Sequence, residues 1–125
     1  MRVAVPGRAA AAATVTTSLG SPGRSFRVAS VEYVPDADVT GAATNSLTLE
    51  LRNRGPDDSI NVLVATLALV AGTNASRRQA KVITLQNTNG TPIVTDIDRL
   101  EWVSLRVGTG LTDPGGAVVI SETTL

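Results

Sequence analysis

Ser46-Leu47-Thr48-Leu49-Glu50-Leu51-Arg52-Asn53 alternates without interruption: the three leucines point one way, and Thr48, Glu50 and Arg52 the other. Successive side chains of a strand take opposite faces, so this period of two predicts a strand with one side buried and one side wet. The segment ends in Asn53-Arg54-Gly55-Pro56-Asp57-Asp58, a loop signal. Beyond it, Ile60 to Ala71 is almost continuously apolar. A helix is conceivable there, but the β-branched content and the flanking Gly72 favour a central strand buried on both faces.

Upstream, Ser25 to Val34 is rich in β-forming residues, and its apolar positions change face between Val28 and Val31. One extra residue in a strand has that effect, so a bulge is expected near Ala29-Ser30, with Pro35 closing the strand. Asp36 to Asn45 is a loop. Downstream, Gln79 to Gln86 alternates, Asn89-Gly90 is the favoured type I′ hairpin dipeptide, and Thr91 to Thr95 is a short return strand. From Arg99 to Val107, Leu100, Trp102 and Ser104 oppose Glu101, Val103 and Leu105. A glycine-rich loop, Gly108 to Gly116, leads into a closing strand, Ala117 to Glu122. The sum is seven or eight short strands between turn signals, which predicts an all-β, sandwich-like or jelly-roll-like domain over 24–125.

Residues 1–23 read differently. They are rich in Ala, Thr, Ser and Gly and close on Ser21-Pro22-Gly23. The five alanines Ala9 to Ala13 are too few for an independent helix, and Thr14-Val15-Thr16-Thr17 leans to extended structure. The segment is expected to be a flexible or extended arm. Ahead of Glu32 the chain has four arginines, Arg2, Arg8, Arg24 and Arg27, and no carboxylate; the remainder carries seven cations and eleven carboxylates, net −4. These four arginines are the candidate partner-binding residues, suited to carboxylates or backbone carbonyls on a partner.

The 125 residues hold no histidine and no cysteine, and formal charge is zero. That composition excludes disulfide scaffolds, thiolate zinc sites, cysteine nucleophiles and histidine acid–base chemistry. Zero net charge argues against a dedicated nucleic-acid binder. No stretch approaches the roughly 20 apolar residues of a membrane helix. Pro6, Gly7 and Arg8 interrupt any signal-peptide core, so the chain is expected to be soluble and not exported. With three aromatics, Phe26, Tyr33 and Trp102, the core must be aliphatic. Trp102 is expected to be a core plug.

Acidic pairs stand at Asp36/Asp38, Asp57/Asp58 and Asp96/Asp98. Asp36 to Gly41 begins like a calcium loop, but Leu47 occupies the place of the bidentate glutamate. These carboxylates are read as turn residues, and no metal or cofactor is assigned. Gly108-Thr109-Gly110 lacks the third glycine and the following helix of a phosphate loop. Asn74-Ala75-Ser76 and Asn89-Gly90-Thr91 match the glycosylation sequon as a Thr-rich chain does by chance. Arg77-Arg78 reads as an exposed turn. No constellation points to an enzyme.

Several stretches resemble small head-decoration proteins of tailed bacteriophages: Val31 to Asn45 (VEYVPDADVTGAATN), Leu47 to Gly55 (LTLELRNRG), the aliphatic run Val62 to Val70, Leu100-Glu101-Trp102, Val107 to Gly110 and Asp113 to Gly116. The likeness spans most of 26–120 and leaves the leading segment unmatched. It implies a β-rich, often trimeric structural protein without cofactor or chemistry, which clamps the outer surface of an icosahedral shell. The expected partners are then the major capsid protein and further copies of the chain, as a homotrimer, with no nucleic acid and no membrane. The expected location is the virion exterior, after assembly in the host cytoplasm. Two alternatives stay open: a glycan- or cell-surface-binding β-sandwich, and another virion part such as a head-fibre base or tail protein.

Overall fold

The computed structural model describes residues 1–86 and 92–125. Its described residues form nine strands and no helix: β1 (Arg2–Val5), β2 (Val15–Gly20), β3 (Phe26–Pro35), β4 (Leu47–Asn53), β5 (Val62–Leu69), β6 (Lys81–Leu85), β7 (Ile93–Val94), β8 (Leu100–Arg106) and β9 (Gly116–Thr123). They make one antiparallel sheet, ordered β1-β9-β3-β6-β5-β4-β8-β2, with β7 paired to β3 off that path. The sheet curls until it is nearly a barrel, an all-β sandwich-like domain. β6 is the corner: it pairs with β3 through Val31↔Ile83 and with β5 through Ala65↔Leu85.

The alternation of β4 is realised fully, with Leu47, Leu49 and Leu51 all completely buried. Each such leucine contributes about 1.5–3 kcal/mol by leaving water. From the neighbouring β8, Leu100 and Trp102 enter the same core, which Val28, Val31, Tyr33 and Ile120 close from the other half. Trp102 is a core plug, 1% exposed, with its ring centroid 5.8 Å from that of Tyr33. The expected bulge is present: the β3–β9 register shifts between Val28 and Ser30, so Phe26 and Val28 face inward before it and Val31 and Tyr33 after it.

Three expectations need correction. β5 is central in sheet order but not buried on both faces, since Val62 is 51% exposed and Ala68 is exposed too. The curled sheet is a single layer, and the outer side of β5 is left partly open among the described residues. A register shift opposite Leu51 and Arg52 also turns Val64 and Ala65 inward together. The return strand shrinks to β7, which pairs with Phe26 and Arg27 of β3. The Asn89-Gly90 turn and the Asn89–Thr91 sequon lie outside the described residues.

The largest correction concerns residues 1–23, which are not an arm. β1 pairs with β9 (Arg2↔Val119 to Val5↔Gly116), and β2 pairs with β8 (Val15↔Ser104 to Gly20↔Leu100). The leading segment thus supplies both terminal strands of the sheet. Val5 is buried in the core, and Leu19 packs against it. The boundary at residue 23 divides nothing. Four or six residues of weak alternation do not fold alone, yet beside a formed strand their backbone groups gain partners.

Deleting residues 1–22 strips two strands and a core valine. The shortened chain is expected to lose its cooperative thermal transition, because this exceeds what a domain of about 5–15 kcal/mol stability tolerates. Near-ultraviolet circular dichroism of Trp102 during melting checks this; a melt matching the full chain would show the segment to be dispensable.

Candidate functional site

The crossover from β1 to β2 runs through Arg8, which the sequence offered as a partner-binding residue. Its side chain is buried instead, at 4% exposure. Arg8 N donates to the Asp113 carbonyl at 2.7 Å, and Asp113 N donates back at 2.8 Å. The guanidinium donates to Ser104 Oγ (3.3 Å) and to the carbonyls of Ala9 and Ala10 (3.2 Å each). The alanine run is therefore a turn wrapped round a cation. Small side chains let the backbone approach it.

Asp113 is also buried. Its Oδ1 accepts from Tyr33 Oη at 2.5 Å and from Gly115 N at 2.9 Å. Burial pushes the Tyr33 hydroxyl far above its ordinary value, and the Asp113 carboxylate adds to that, so Tyr33 is a permanent donor. Burial likewise lowers Arg8, while the Asp113 charge works in the opposite direction. A guanidinium stays protonated under such pressure. This cluster is a lock, not a reactive centre.

A second lock sits beyond the other end of β8. Asp98 Oδ2 accepts from Asn53 Nδ2 (3.0 Å) and Thr95 N (2.9 Å), while Asn53 Oδ1 accepts from Gly55 N (2.8 Å). Burial alone would raise the Asp98 carboxyl; the hydrogen bonds from Thr95 and Asn53 outweigh it and hold the group below its ordinary value. The other sequence-noted acids are turn residues too. Asp38 accepts from Arg77 N, and Asp58 pairs with Arg99. Among the described residues, no group of three or more His, Cys, Asp or Glu side chains comes together. Asn74 and Thr109 serve loops: Asn74 Oδ1 accepts from Gly41 N, and Thr109 N donates to Asn45 Oδ1.

The other three candidate arginines stay on the surface without converging. Arg24 holds Glu122 through both carboxylate oxygens, its Nε at 2.8 Å from Oε2. Arg27 is exposed on β3 opposite Thr123. Arg2 is different. It lies on the outer face of β1 and lines a groove of about 650 Å³ with Ala4, Val34, Asp36, Arg78, Gly116 and Ala117. Pairing explains the floor: Ala4, Ala117 and Val34 stand side by side across β1, β9 and β3. Gly116 continues it, at φ 152° and so close to β3 that a Cβ would run into the Val34 carbonyl.

Small residues make the trough, and Arg2 and Arg78 wall it. Neither arginine has an ion-pair partner among the described residues. Arg78 is in an exposed turn, as the sequence suggests, with its N–H on the Pro35 carbonyl at 2.8 Å. Its φ of 58° is left-handed, a conformation that costs a β-carbon residue about 1 kcal/mol. Sequence reasoning missed this residue, because Arg2 and Arg78 meet only through tertiary pairing. The one local signal was the Arg77-Arg78 dipeptide in a turn.

Arg8→Ala would leave Asp113 and Ser104 buried without their cation. A loss of about 3 kcal/mol is expected in urea unfolding, the usual cost of breaking a buried charge cluster from one side. Asp98, depressed in the fold, contributes stability that is complete above its unfolded value of about 3.9 and is lost as pH falls through the lower folded value. Acid unfolding of Asp98→Asn should therefore lack that component, whereas Asp57→Asn should retain it. Compared with protein-family models, curated proteins and solved structures, the chain has no significant match, so its function must be argued from this geometry.

Proposed function

We propose that this chain is a structural virion protein that binds the outer surface of a bacteriophage capsid and stabilises it. The observation that carries the reading is the groove of β1, β9 and β3: a trough floored by small residues and lined by the carboxylate of Asp36 and by two guanidiniums, neither with an ion-pair partner among the described residues. Such a shape suits an extended segment of a capsid subunit bearing a carboxylate, which Arg2 and Arg78 would grip while Ala4 and Ala117 admit its backbone. The resemblance of 26–120 to head-decoration proteins supports the same conclusion. The buried locks supply the rigid platform such a role needs.

Energetics favour a lattice as the partner. An exposed arginine–carboxylate pair contributes about 0.2–1 kcal/mol, far too little for single-site binding. Repetition over a shell, and association of copies such as a homotrimer, multiplies that contact without new chemistry. The glycan-binding alternative needs an aromatic platform, and Phe26, Tyr33 and Trp102 are at most 2% exposed. The head-fibre or tail alternative would use the same groove on a different assembly.

This reading puts docking on the folded sheet and not on the flexible or extended arm expected from the sequence, so its test is side-chain replacement. Arg2→Glu with Arg78→Gly is expected to weaken sedimentation with expanded heads by roughly tenfold, two exposed pairs being worth up to about 1 kcal/mol each. The glycine also relieves the left-handed backbone, so the melting temperature should not fall. Undiminished binding to heads would remove the groove from the interface. Binding to tails in place of heads would favour the alternative assembly.

A further inference from the structure

We propose that the free edge of β2 is a docking edge for a second copy of this chain, with the two β2 strands paired antiparallel across a twofold axis. Among the described residues, β2 ends the sheet and has one pairing, with β8. An unpaired edge presents a row of N–H and C=O groups ready for another strand, and proteins guard such edges with charge, proline, bulges or shortness. β1, the opposite end, is guarded in that way: it is four residues long, carries the exposed Arg2 and is followed by Pro6. β2 is six residues long, and from Ala9 to Gly23 the chain has no charged side chain. Its only irregularity falls between Ser18 and Gly20, leaving Val15 to Ser18 regular.

The strand is also held in place for pairing. Thr14 Oγ1 accepts from Arg106 N at 3.1 Å, Ala11 O accepts from Arg106 Nη1 at 2.7 Å, and Ser21 Oγ donates to the Ile97 carbonyl at 3.4 Å. The choice of partner follows from charge. In a twofold contact each side chain meets the partner's copy of the same strand, so any charge on the edge repels itself. β2 has none to repel. Thr16 and Ser18 lie exposed on the outer side, a composition suited to cross-strand hydroxyl pairs, while half-buried Val15, Thr17 and Leu19 would carry the core across the seam. An acidic or basic partner would gain nothing from so neutral an edge.

This proposal is independent of the virion reading, since it is tested on the protein alone and the groove on heads. A six-residue edge is far smaller than a standard interface, so association should be weak and is followed by sedimentation velocity of the full chain up to roughly 1 mM. The expected result is a concentration-dependent dimer; a trimer, which this twofold edge cannot form, would overturn the pairing and point to another self-association surface. Thr16→Lys should raise the dissociation constant at least tenfold, with added salt restoring part of it by screening. Thr84→Lys, an equally exposed change on the internal strand β6, should leave association unaltered. Amide exchange at Val15 to Ser18 in the unmodified protein should slow as concentration rises, a readout independent of any variant's folding. A chain that stays monomeric, association indifferent to Thr16→Lys, or exchange indifferent to concentration would each overturn the proposal.

Discussion

Arg8 and Asp113 are the constraint on which the two ends of the sheet depend. Their backbones pair, Asp113 Oδ1 takes the Tyr33 hydroxyl, and the Arg8 guanidinium takes Ser104 and the alanine carbonyls. One cluster thereby fastens the β1–β2 crossover, β3, β8 and the loop before β9. Burying a cation and a carboxylate costs several kcal/mol each unless their hydrogen bonds are replaced; here protein groups replace them at Arg8 Nε and Nη1 and at Asp113 Oδ1, while Arg8 Nη2 and Asp113 Oδ2 have no partner among the described residues. The lock makes little net contribution compared with an apolar core of the same shape. Its value is positional: the crossover has one place to sit, and β1 and β2 are held as opposite ends of one sheet.

From that placement follow the two surfaces proposed to dock a partner. The groove exists because β1 completes the outer face beside β9, bringing Arg2 across from Arg78. The neutral edge exists because β2 is held at both ends and left open along its length. Neither surface offers reactive groups, and neither would bind tightly alone. Weak contacts of this kind gain strength from repetition, which is why a lattice and a second copy are the partners proposed for them. Arg78, left-handed at the groove wall, is a place where the fold accepts backbone strain beside a candidate contact.

The reading of the chain succeeded wherever a local period had one buried side. Leu47, Leu49 and Leu51 declared β4, Leu100, Trp102 and Ser104 declared the inner face of β8, and the face change after Val28 declared the bulge in β3. Periodicity reports which side of a strand leaves water, and in each of those strands the inward side is dry, although β8 also buries Val103 on its other side. It failed where two-sided burial was inferred from apolar content alone. Val62 and Val70 are as hydrophobic as their neighbours, but a single curled layer has an outside.

The sequence by itself therefore determined the class: an all-β domain with an aliphatic core, no histidine or thiol chemistry, and strands at nearly the right places. Tertiary structure alone decided the roles of the first twenty residues and of the arginines. A run of Ala and Thr carries no sign of the strand it will join, because the partners β8 and β9 lie about a hundred residues away. An arginine looks identical in sequence whether a buried aspartate region awaits it, as at Arg8, or solvent, as at Arg2. Local patterns encode burial; long-range pairing assigns the partner, and only the partner gives a charge its function.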